Sequence, residues 1–220
     1  MFALKPLFRP FDEKSNALRL RRHPLFRLLG LRGTIAQHSE AEEQTLKHYA
    51  SGSKTVVEIG VAEGASALAL RQAAAPDGAI YLVDPYPPGR IPGINLSRLC
   101  AIRHVSRSKN ASVRFIQEFS FNASKTWEQP IDLLFIDGDH SYENCLRDWE
   151  EWSPFIVKGG YVAFHDARVF SRGWPREDWG PVRVVNKLFR NSSGRSPWEI
   201  VAEVDSIVIV RRVLESTQVK

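Results

Sequence analysis

Two short polar segments carry the side chains in this sequence that are best suited to metal binding and acid–base chemistry. The first reads DGDHSY from position 137, and the second reads HD from position 165. Carboxylates and an imidazole that converge can hold a divalent cation, with water or substrate hydroxyls completing its coordination. We therefore predict Asp137, His165 and Asp166 as metal ligands. Taken alone, His140 is more simply a helix N-terminal residue, but beside this cluster it can act as a general base toward a substrate hydroxyl.

A glycine-containing turn upstream has the form of a nucleotide-binding loop. The segment VEIGVAEGAS (57–66) contains Gly60 and Gly64, which allow a tight bend or the close approach of a ligand. It lacks the ending of a P-loop and the third glycine of a dinucleotide fingerprint, so phosphate is not its expected target. Asp84 ends the next strand, where an acidic residue can accept hydrogen bonds from both hydroxyls of a ribose. The glycines alone fit a structural turn equally well, but with Glu58 and Asp84 they favour a nucleoside without pyrophosphate, namely S-adenosylmethionine.

Alternating strands and helices must position these residues. Ser39 and Glu42 have the spacing of a capping box, which predicts a short leading helix. Apolar runs predict five buried strands, and the segments between most of them predict crossover helices. Such alternation indicates a doubly wound α/β fold with a parallel sheet covered on both faces. The predicted strands are 55–60, 79–84, 113–117, 131–137 and 159–166, and the predicted helices are 65–75, 96–105, 142–152 and 182–190.

The C-terminal part departs from this alternation. The runs WEIVAEV and SIVIVRRV flank Asp205 as in a hairpin, which predicts an antiparallel strand at the edge of the sheet. Two loops, 85–95 and 167–180, are longer than a connection requires and follow strands whose carboxyl ends form the ligand-binding edge of such sheets. Trp174 and Trp179 in the second loop provide flat apolar surface for a ligand, although the loops could instead cover the core of the domain.

The composition is that of one globular domain with a basic N-terminal arm. The 220 residues are 43% apolar, and neither a membrane span nor a signal-peptide core is expected. Cys100 and Cys145 lack a paired spacing, so disulfide and zinc sites are not expected, and we predict a reduced, cytoplasmic location.

The arm is predicted to be residues 1–33, and the catalytic domain residues 34–220. The arm holds 8 Lys and Arg against 2 acidic residues, whereas the remainder has a net charge of −1. A basic arm can contact nucleic acid, an anionic membrane or an acidic substrate, or it can pack on its own domain or on a dimer mate. We favour a lid over the acceptor or a homodimer contact over a membrane, and we expect no nucleic acid because no motif beyond charge supports it.

Four segments, VEIGVAEGAS, YLVDPY, LLFIDGDHSY and GGYVAFHDA, resemble in order and spacing one group of class I methyltransferases. This group includes macrolide-sugar O-methyltransferases and the proteins called cephalosporin hydroxylases. The resemblance runs from about position 40 to position 213. It implies a Rossmann-like, mostly parallel seven-stranded sheet that ends in an antiparallel hairpin.

The resemblance also implies roles for individual residues. Its cofactor residues correspond here to Glu58, Gly60, Gly64, Ser66 and Asp84, with Ser120 near the adenine. It assigns Asp137, His165 and Asp166 to magnesium and His140 to the base. The family often has an acidic residue at the position of His165, and an imidazole suits manganese, iron or zinc better than magnesium.

The expected function is therefore O-methylation by S-adenosylmethionine of a small-molecule or saccharide acceptor, assisted by magnesium or manganese. One alternative is a metal-dependent hydrolase that uses the same carboxylates on phosphate esters, which predicts two metals and leaves the glycine loop incidental. The other alternative is a non-catalytic protein that binds through its basic arm, with an affinity that falls steeply with salt.

Overall fold

The computed structural model describes residues 37–89, 94–171, 173–191 and 196–213, and the basic arm lies outside these ranges. The described strands are β1 Thr55–Ile59, β2 Ala79–Val83, β3 Ser112–Ile116, β4 Ile131–Ile136, β5 Ile156–Phe164, β6 Trp198–Val204 and β7 Ile207–Arg212. The described α-helices are α1 Glu40–Ala50, α2 Ala65–Ala73, α3 Leu96–Val105, α4 Ser120–Ala123, α5 Tyr142–Trp152 and α6 Gly180–Val185. Short 3₁₀ turns follow α4 and α5, and a π-helical turn, Asn186–Arg190, follows α6.

Within these residues the strands form one seven-stranded sheet in the order β3-β2-β1-β4-β5-β7-β6. Strands β1 to β5 are parallel, and β7 is antiparallel to both β5 and β6. The predicted Rossmann-like sheet with a C-terminal hairpin is thus confirmed. None of the described helices is long and apolar enough to cross a membrane.

The hairpin places β6 at the edge of the sheet, paired antiparallel with β7, whereas β7, the strand reversed relative to β1–β5, is enclosed by β5 and β6. Its residues 207–210 are fully buried, whereas β6 exposes Glu199 and Glu203, so the more apolar strand takes the inner position. One boundary of the predicted sheet differs, since β5 begins at Ile156, three residues before the predicted start, because Ile156 pairs with Ile131 of β4 ahead of a register shift.

The unbroken apolar strands are explained by burial on both faces of the sheet. Alternate residues of the same strand enter different cores, as Val56 and Val57 of β1 do. The helix α5 covers one face with Trp149 and Trp152, and the helices α1 and α2 cover the other. The carboxyl ends of the parallel strands meet at one edge of the sheet, and helices pack on both faces of the sheet behind that edge.

The glycine at the end of β1 is required by its conformation and its neighbours. Gly60 has a φ of 84°, and a Cβ atom there would lie 2.1 Å from the backbone carbonyl oxygen of Asp137. Gly52 has a similar φ of 75°, but nothing lies within 4 Å of its Cβ position. A substitution at Gly52 would thus meet only the cost of the left-handed conformation, whereas one at Gly60 would also meet a steric clash with Asp137.

We expect Gly60→Ala to lower the free energy of unfolding by several kcal/mol, because the β1 turn must move away from Asp137. Gly52→Ala should cost only about 1–2 kcal/mol, the usual cost of an L-residue in the left-handed region. Denaturant unfolding of both variants measures the difference. Equal losses would contradict the close packing of Gly60.

Candidate active site

Four donor atoms converge where β4 and β5 end. The pairing of Ile136 with Phe164 places the next residues, Asp137 and His165, side by side. Around the cluster, His165 Nδ1 lies 3.0 Å from Asp137 Oδ1 and 3.6 Å from Asp166 Oδ2. His140 Nε2 lies 3.3 Å from Asp166 Oδ2 and 3.9 Å from Asp137 Oδ1. We call these four atoms the donor ring.

The neighbouring separations within the donor ring are close to those between ligands of a single cation, but Asp166, a predicted ligand, lies outside the group of side chains that satisfies all mutual distances. For bonds of about 2.1 Å, neighbouring ligand atoms are about 3.0 Å apart in an octahedron and about 3.4 Å apart in a tetrahedron. The four separations, 3.0 to 3.9 Å, lie at and slightly above these values. Asp137, His140 and His165 also satisfy the mutual distances of a metal-binding group. Two carboxylates and two imidazoles suit manganese, iron or zinc better than magnesium.

Opposite charges compensate the burial of three members of the donor ring, whereas burial raises the pKa of Asp166 above its ordinary value although His165, Trp174 and His140 oppose the shift. Burial disfavours the charged form of His165, but the Asp137, Glu42 and Asp166 carboxylates outweigh it and raise its pKa well above the ordinary value. Burial also opposes ionisation of Asp137, yet the neighbouring imidazoles hold its pKa below the ordinary value. The Asp137 and Asp166 carboxylates raise the pKa of His140 against the effect of its burial. The carboxylates of the donor ring thus favour a positive charge on its imidazoles.

The 167–180 loop contacts the donor ring through both of its tryptophans. Trp174 Nε1 donates a hydrogen bond to Asp166 Oδ1 at 2.8 Å, and the Trp179 ring stacks on His140 at 5.5 Å between centroids. Asp166 itself has a φ of 51°, a left-handed conformation that is uncommon for a residue other than glycine. Trp174 is 43% exposed, so its ring does not fill the core.

The glycine loop is closed by Asp84. Asp84 Oδ2 accepts hydrogen bonds from the backbone amides of Val61 and Ala62, both at 3.0 Å, and its Oδ1 accepts one from Tyr86 N at 2.8 Å. Gly64 has a φ of 79° and begins α2, and its Cβ position lies 3.1 Å from Ala101 Cα of α3. The predicted cofactor residues of this turn therefore also determine the shape of the loop.

A pocket lies between the glycine loop and the donor ring. Gly60, Ser66 and Asp137 are among the residues that line it. Glu58 is fully buried behind the loop and accepts a hydrogen bond from Ser66 Oγ. Burial raises the pKa of Glu58 well above its ordinary value, although that hydrogen bond opposes the shift. Glu58 thus does not line the pocket itself but is hydrogen-bonded to Ser66, which does. The full lining is Gln37, His38, Gly60, Val61, Ala62, Glu63, Ala65, Ser66, Ser97 and Asp137.

Ser120 is not brought to this pocket. It begins α4 and its hydroxyl donates a hydrogen bond to Asp148 Oδ1 on α5. A Cβ atom at Gly138 would lie 3.4 Å from Asp148 Oδ2, so the pair adjoins the DGDH segment. The placement neither supports nor contradicts a contact with adenine.

The central strands and their carboxyl-edge residues match a known family. Residues 57–167 match the family described as Methyltransferase domain, Methyltransf_24. The chain belongs to this methyltransferase family. The match contains the glycine loop, Asp84, Ser120 and the whole donor ring.

Curated relatives of this methyltransferase align over only part of their length. "Uncharacterized protein R132" of Acanthamoeba polyphaga mimivirus is 31% identical over 85 residues, which are 36% of this chain and 35% of that protein. "Uncharacterized protein y4gI" of Sinorhizobium fredii is 36% identical over 47 residues, which are 21% of this chain and 5% of that protein. The aligned part thus spans about a third of the first relative and far less of the second.

Solved structures share the fold of the methyltransferase at low identity. The O-methyltransferase TomG from Streptomyces achromogenes, in complex with SAM, has a TM-score of 0.60 and 17% identity, with 94% of this chain and 92% of that chain covered. The O-methyltransferase from Bacillus cereus, in complex with SAH, has a TM-score of 0.56 and 16% identity, with 93% of each chain covered. An rRNA methylase from Streptococcus thermophilus reaches 0.57 at 12% identity, with 83% and 100% covered. The likeness therefore concerns the fold and not the acceptor.

Sequence reasoning missed three residues around the site. Glu42 was expected only as part of a capping box, but it is buried and faces His165. His38 lines the pocket, and burial lowers its pKa. Asp148 is buried on α5. No local pattern distinguishes these residues from surface polar residues, because their partners lie far away along the chain.

Burial raises the pKa of Asp148 to about 6, and Glu151 adds to the shift while Ser120 opposes it. Because this pKa is raised on folding, the stability that the protonated group contributes is complete below about pH 4 and is lost as pH rises to about 6. We expect Asp148→Asn to gain stability relative to the wild type across this window, by roughly 1.4 kcal/mol for each increase of one in pH. Urea unfolding at pH 4 and pH 7.5 measures the change, and a difference between the two proteins that is independent of pH would contradict it.

Proposed function

We propose that this methyltransferase transfers the methyl group of S-adenosylmethionine to a hydroxyl of a small-molecule or sugar-containing acceptor, assisted by a divalent cation. The observation that carries the proposal is the shared position of Asp137, which belongs to the donor ring and also lines the pocket beside the glycine loop. A ligand in the pocket and an acceptor at the ring would meet at this residue. The likeness to TomG and to the Bacillus cereus O-methyltransferase supports the same chemistry.

The pocket suits the amino-acid part of S-adenosylmethionine. The helix α2 begins without a side-chain cap, and its first residues, Ala65 and Ser66, line the pocket. Its free amide groups can bind a carboxylate there. The Asp137 carboxylate faces the same space and suits an ammonium or sulfonium group. Asp84 already accepts three hydrogen bonds, two at Oδ2 and one at Oδ1, and an ionised carboxylate has about four acceptor positions. Its Oδ1 can therefore accept a further hydrogen bond from a ribose hydroxyl.

Asp137, His165 and Asp166 would hold the cation. When bound, a divalent cation lowers the pKa of a nearby hydroxyl and stabilises the developing negative charge on its oxygen. Magnesium and manganese are the candidates, and the imidazole of His165 favours manganese.

The chain's own residues align the acceptor and accept its proton. His140 is the most exposed member of the donor ring, with 42% of its side chain exposed, and Trp179 fixes its ring plane by stacking. His140 Nε2 takes the proton of the acceptor hydroxyl, and the Asp166 and Asp137 carboxylates stabilise the imidazolium that forms. The acceptor oxygen then forms a bond to the methyl carbon. The electrons of the broken carbon–sulfur bond remain on sulfur, which yields S-adenosylhomocysteine.

The hydrolase alternative is less well supported. A hydrolase of this kind gives no role to the hydrogen bonds that join Asp84 to the glycine loop. Both Asp84 and the glycine loop lie within the part of the chain that matches the methyltransferase family. Thermal-shift measurements separate the two functions, since S-adenosylhomocysteine should stabilise this protein whereas phosphate esters should not.

Asp84→Ala should lose affinity for S-adenosylhomocysteine by a few kcal/mol, because it removes the ribose acceptor together with the bonds that close the glycine loop. Asp77→Ala is the matched control, since Asp77 is exposed, pairs with Lys54 and precedes β2 instead of following it. Isothermal titration calorimetry measures both. Equal affinity in Asp84→Ala and the wild type would refute the assignment of Asp84.

EDTA should abolish turnover, and His140→Ala should reduce it by roughly 10²- to 10⁴-fold, the usual contribution of a general base. Affinity for S-adenosylhomocysteine should survive both treatments, and His48→Ala, a change at an exposed histidine of α1, should leave turnover unchanged. Turnover is followed by the release of S-adenosylhomocysteine during incubation with candidate acceptors.

Manganese titration tests the division of roles within the donor ring. Asp166→Ala should weaken manganese binding strongly, whereas His140→Ala should leave it nearly unchanged. A comparable loss in His140→Ala would make His140 a fourth ligand. Full activity in EDTA with a metal-free enzyme would remove the cation from the proposal and leave His140 as the base.

A further inference from the structure

A buried carboxylate of α1 lies directly behind the donor ring. Glu42 is 1% exposed, and its Oε1 accepts hydrogen bonds from the backbone amide and the hydroxyl of Ser206, at 2.7 and 2.6 Å. Its Oε2 accepts one from the backbone amide of Ser39 at 2.7 Å and lies 3.8 Å from His165 Nε2. Three hydrogen bonds, one from the cap of the same helix and two from the distant Ser206, thus hold the carboxylate in place against the imidazole.

The imidazole of His165 lies between two carboxylates of different kinds. Its Nδ1 faces Asp137 in the donor ring at 3.0 Å, and its Nε2 faces Glu42 at 3.8 Å. Both nitrogens are buried, and neither completes a hydrogen bond within the described residues. Phe135 contacts the ring at an interplanar angle of 80°. Each nitrogen of the ring therefore faces a carboxylate oxygen, Nδ1 that of Asp137 and Nε2 that of Glu42.

A helix cap alone does not account for this arrangement. In the capping box, the Glu42 side chain makes only one hydrogen bond, from the Ser39 amide, and this bond forms equally well on an exposed helix end. Burying a carboxylate costs several kcal/mol unless it is paired. An imidazole that binds a metal through one nitrogen usually donates its other N–H to a carboxylate, which fixes both the tautomer and the ring orientation.

We infer that Glu42 is a positioning residue, whose buried carboxylate faces Nε2 of His165 and thereby directs Nδ1 of that histidine into the donor ring. The inference rests on the proposed cation site, since the directed nitrogen is the one that would bind the ion. Glu42 touches neither the acceptor nor the cofactor pocket. It links the start of α1 and the Asp205–Ser206 turn to the end of β5.

Calorimetric titration of manganese tests the inference. Glu42→Gln is nearly isosteric but removes the charge that faces Nε2, and it should weaken manganese binding about 10- to 100-fold, the usual effect of such an outer partner. Ser206→Ala is the matched control, because it removes one hydrogen bond to the same carboxylate and leaves the carboxylate facing His165. Glu40→Gln removes an exposed charge from the same helix turn. Both controls should bind manganese as the wild type does.

¹⁵N spectra of histidine-labelled protein provide a readout that does not depend on activity. The His165 signals are assigned by their loss in His165→Gln. In the zinc-loaded wild type, Nε2 should carry a proton and Nδ1 should be coordinated, whereas Glu42→Gln should lose the Nε2–H signal or shift it. In the metal-free wild type the Nε2–H should also be present. If Glu42→Gln does not fold, Glu42→Asp retains the charge but withdraws it by one methylene, and its manganese affinity should be reduced.

Unchanged manganese affinity and unchanged His165 signals in folded Glu42→Gln would overturn the inference. So would equal losses in Glu42→Gln and Ser206→Ala, which would show a structural role only. If the wild type bound neither manganese nor zinc, the cation part of the proposed function would fail. The comparison of the metal-free proteins would then still decide whether Glu42 orients His165, because the Nε2–H signal should be lost or shifted in Glu42→Gln and unchanged in Ser206→Ala.

Discussion

The parallel pairing of β4 with β5 is the constraint on which the candidate site depends. The two strands end in register at Ile136 and Phe164, so the next residue of each, Asp137 and His165, must lie side by side. The backbone amide of His165 donates a hydrogen bond to Ile136 O at 3.0 Å, which continues the pairing for one residue into the site. Two polar side chains are thus held together by the backbone of a buried sheet and not by their own attraction.

That constraint has an electrostatic cost, which the neighbouring groups offset. Buried carboxylates are unfavourable unless they are paired, and here Asp137, Asp166 and Glu42 surround the imidazole of His165. These carboxylates can therefore remain ionised at the sheet edge only when a positive charge lies between them. A protonated imidazole satisfies this need, and so does a divalent cation. The same residues are therefore compatible both with a stable fold and with the proposed metal-assisted chemistry.

Much of the fold and the residue types of the site could be predicted, because their signals are local. The apolar runs of β1, β2 and β4 are typical of buried strands, and the DGDH and HD segments indicated the donor ring because the carboxyl ends of neighbouring parallel strands must meet. The order of β6 and β7 depends instead on which strand is buried more completely, a property of the assembled sheet. The contact between Glu42 and His165 joins residues 123 positions apart, and no pattern within either segment signals it.

The glycine loop illustrates how structural and functional demands coincide. Gly60 is needed because of its close approach to Asp137, and Asp84 closes the loop with hydrogen bonds to Val61 and Ala62. These contacts hold the loop in shape without a ligand. Methyl transfer requires little from a protein beyond alignment of the nucleophile with the methyl group, since the sulfonium is already activated. A loop whose shape is set by the sheet edge itself, and which lies against Asp137 of the donor ring, would provide that alignment in the proposed reaction.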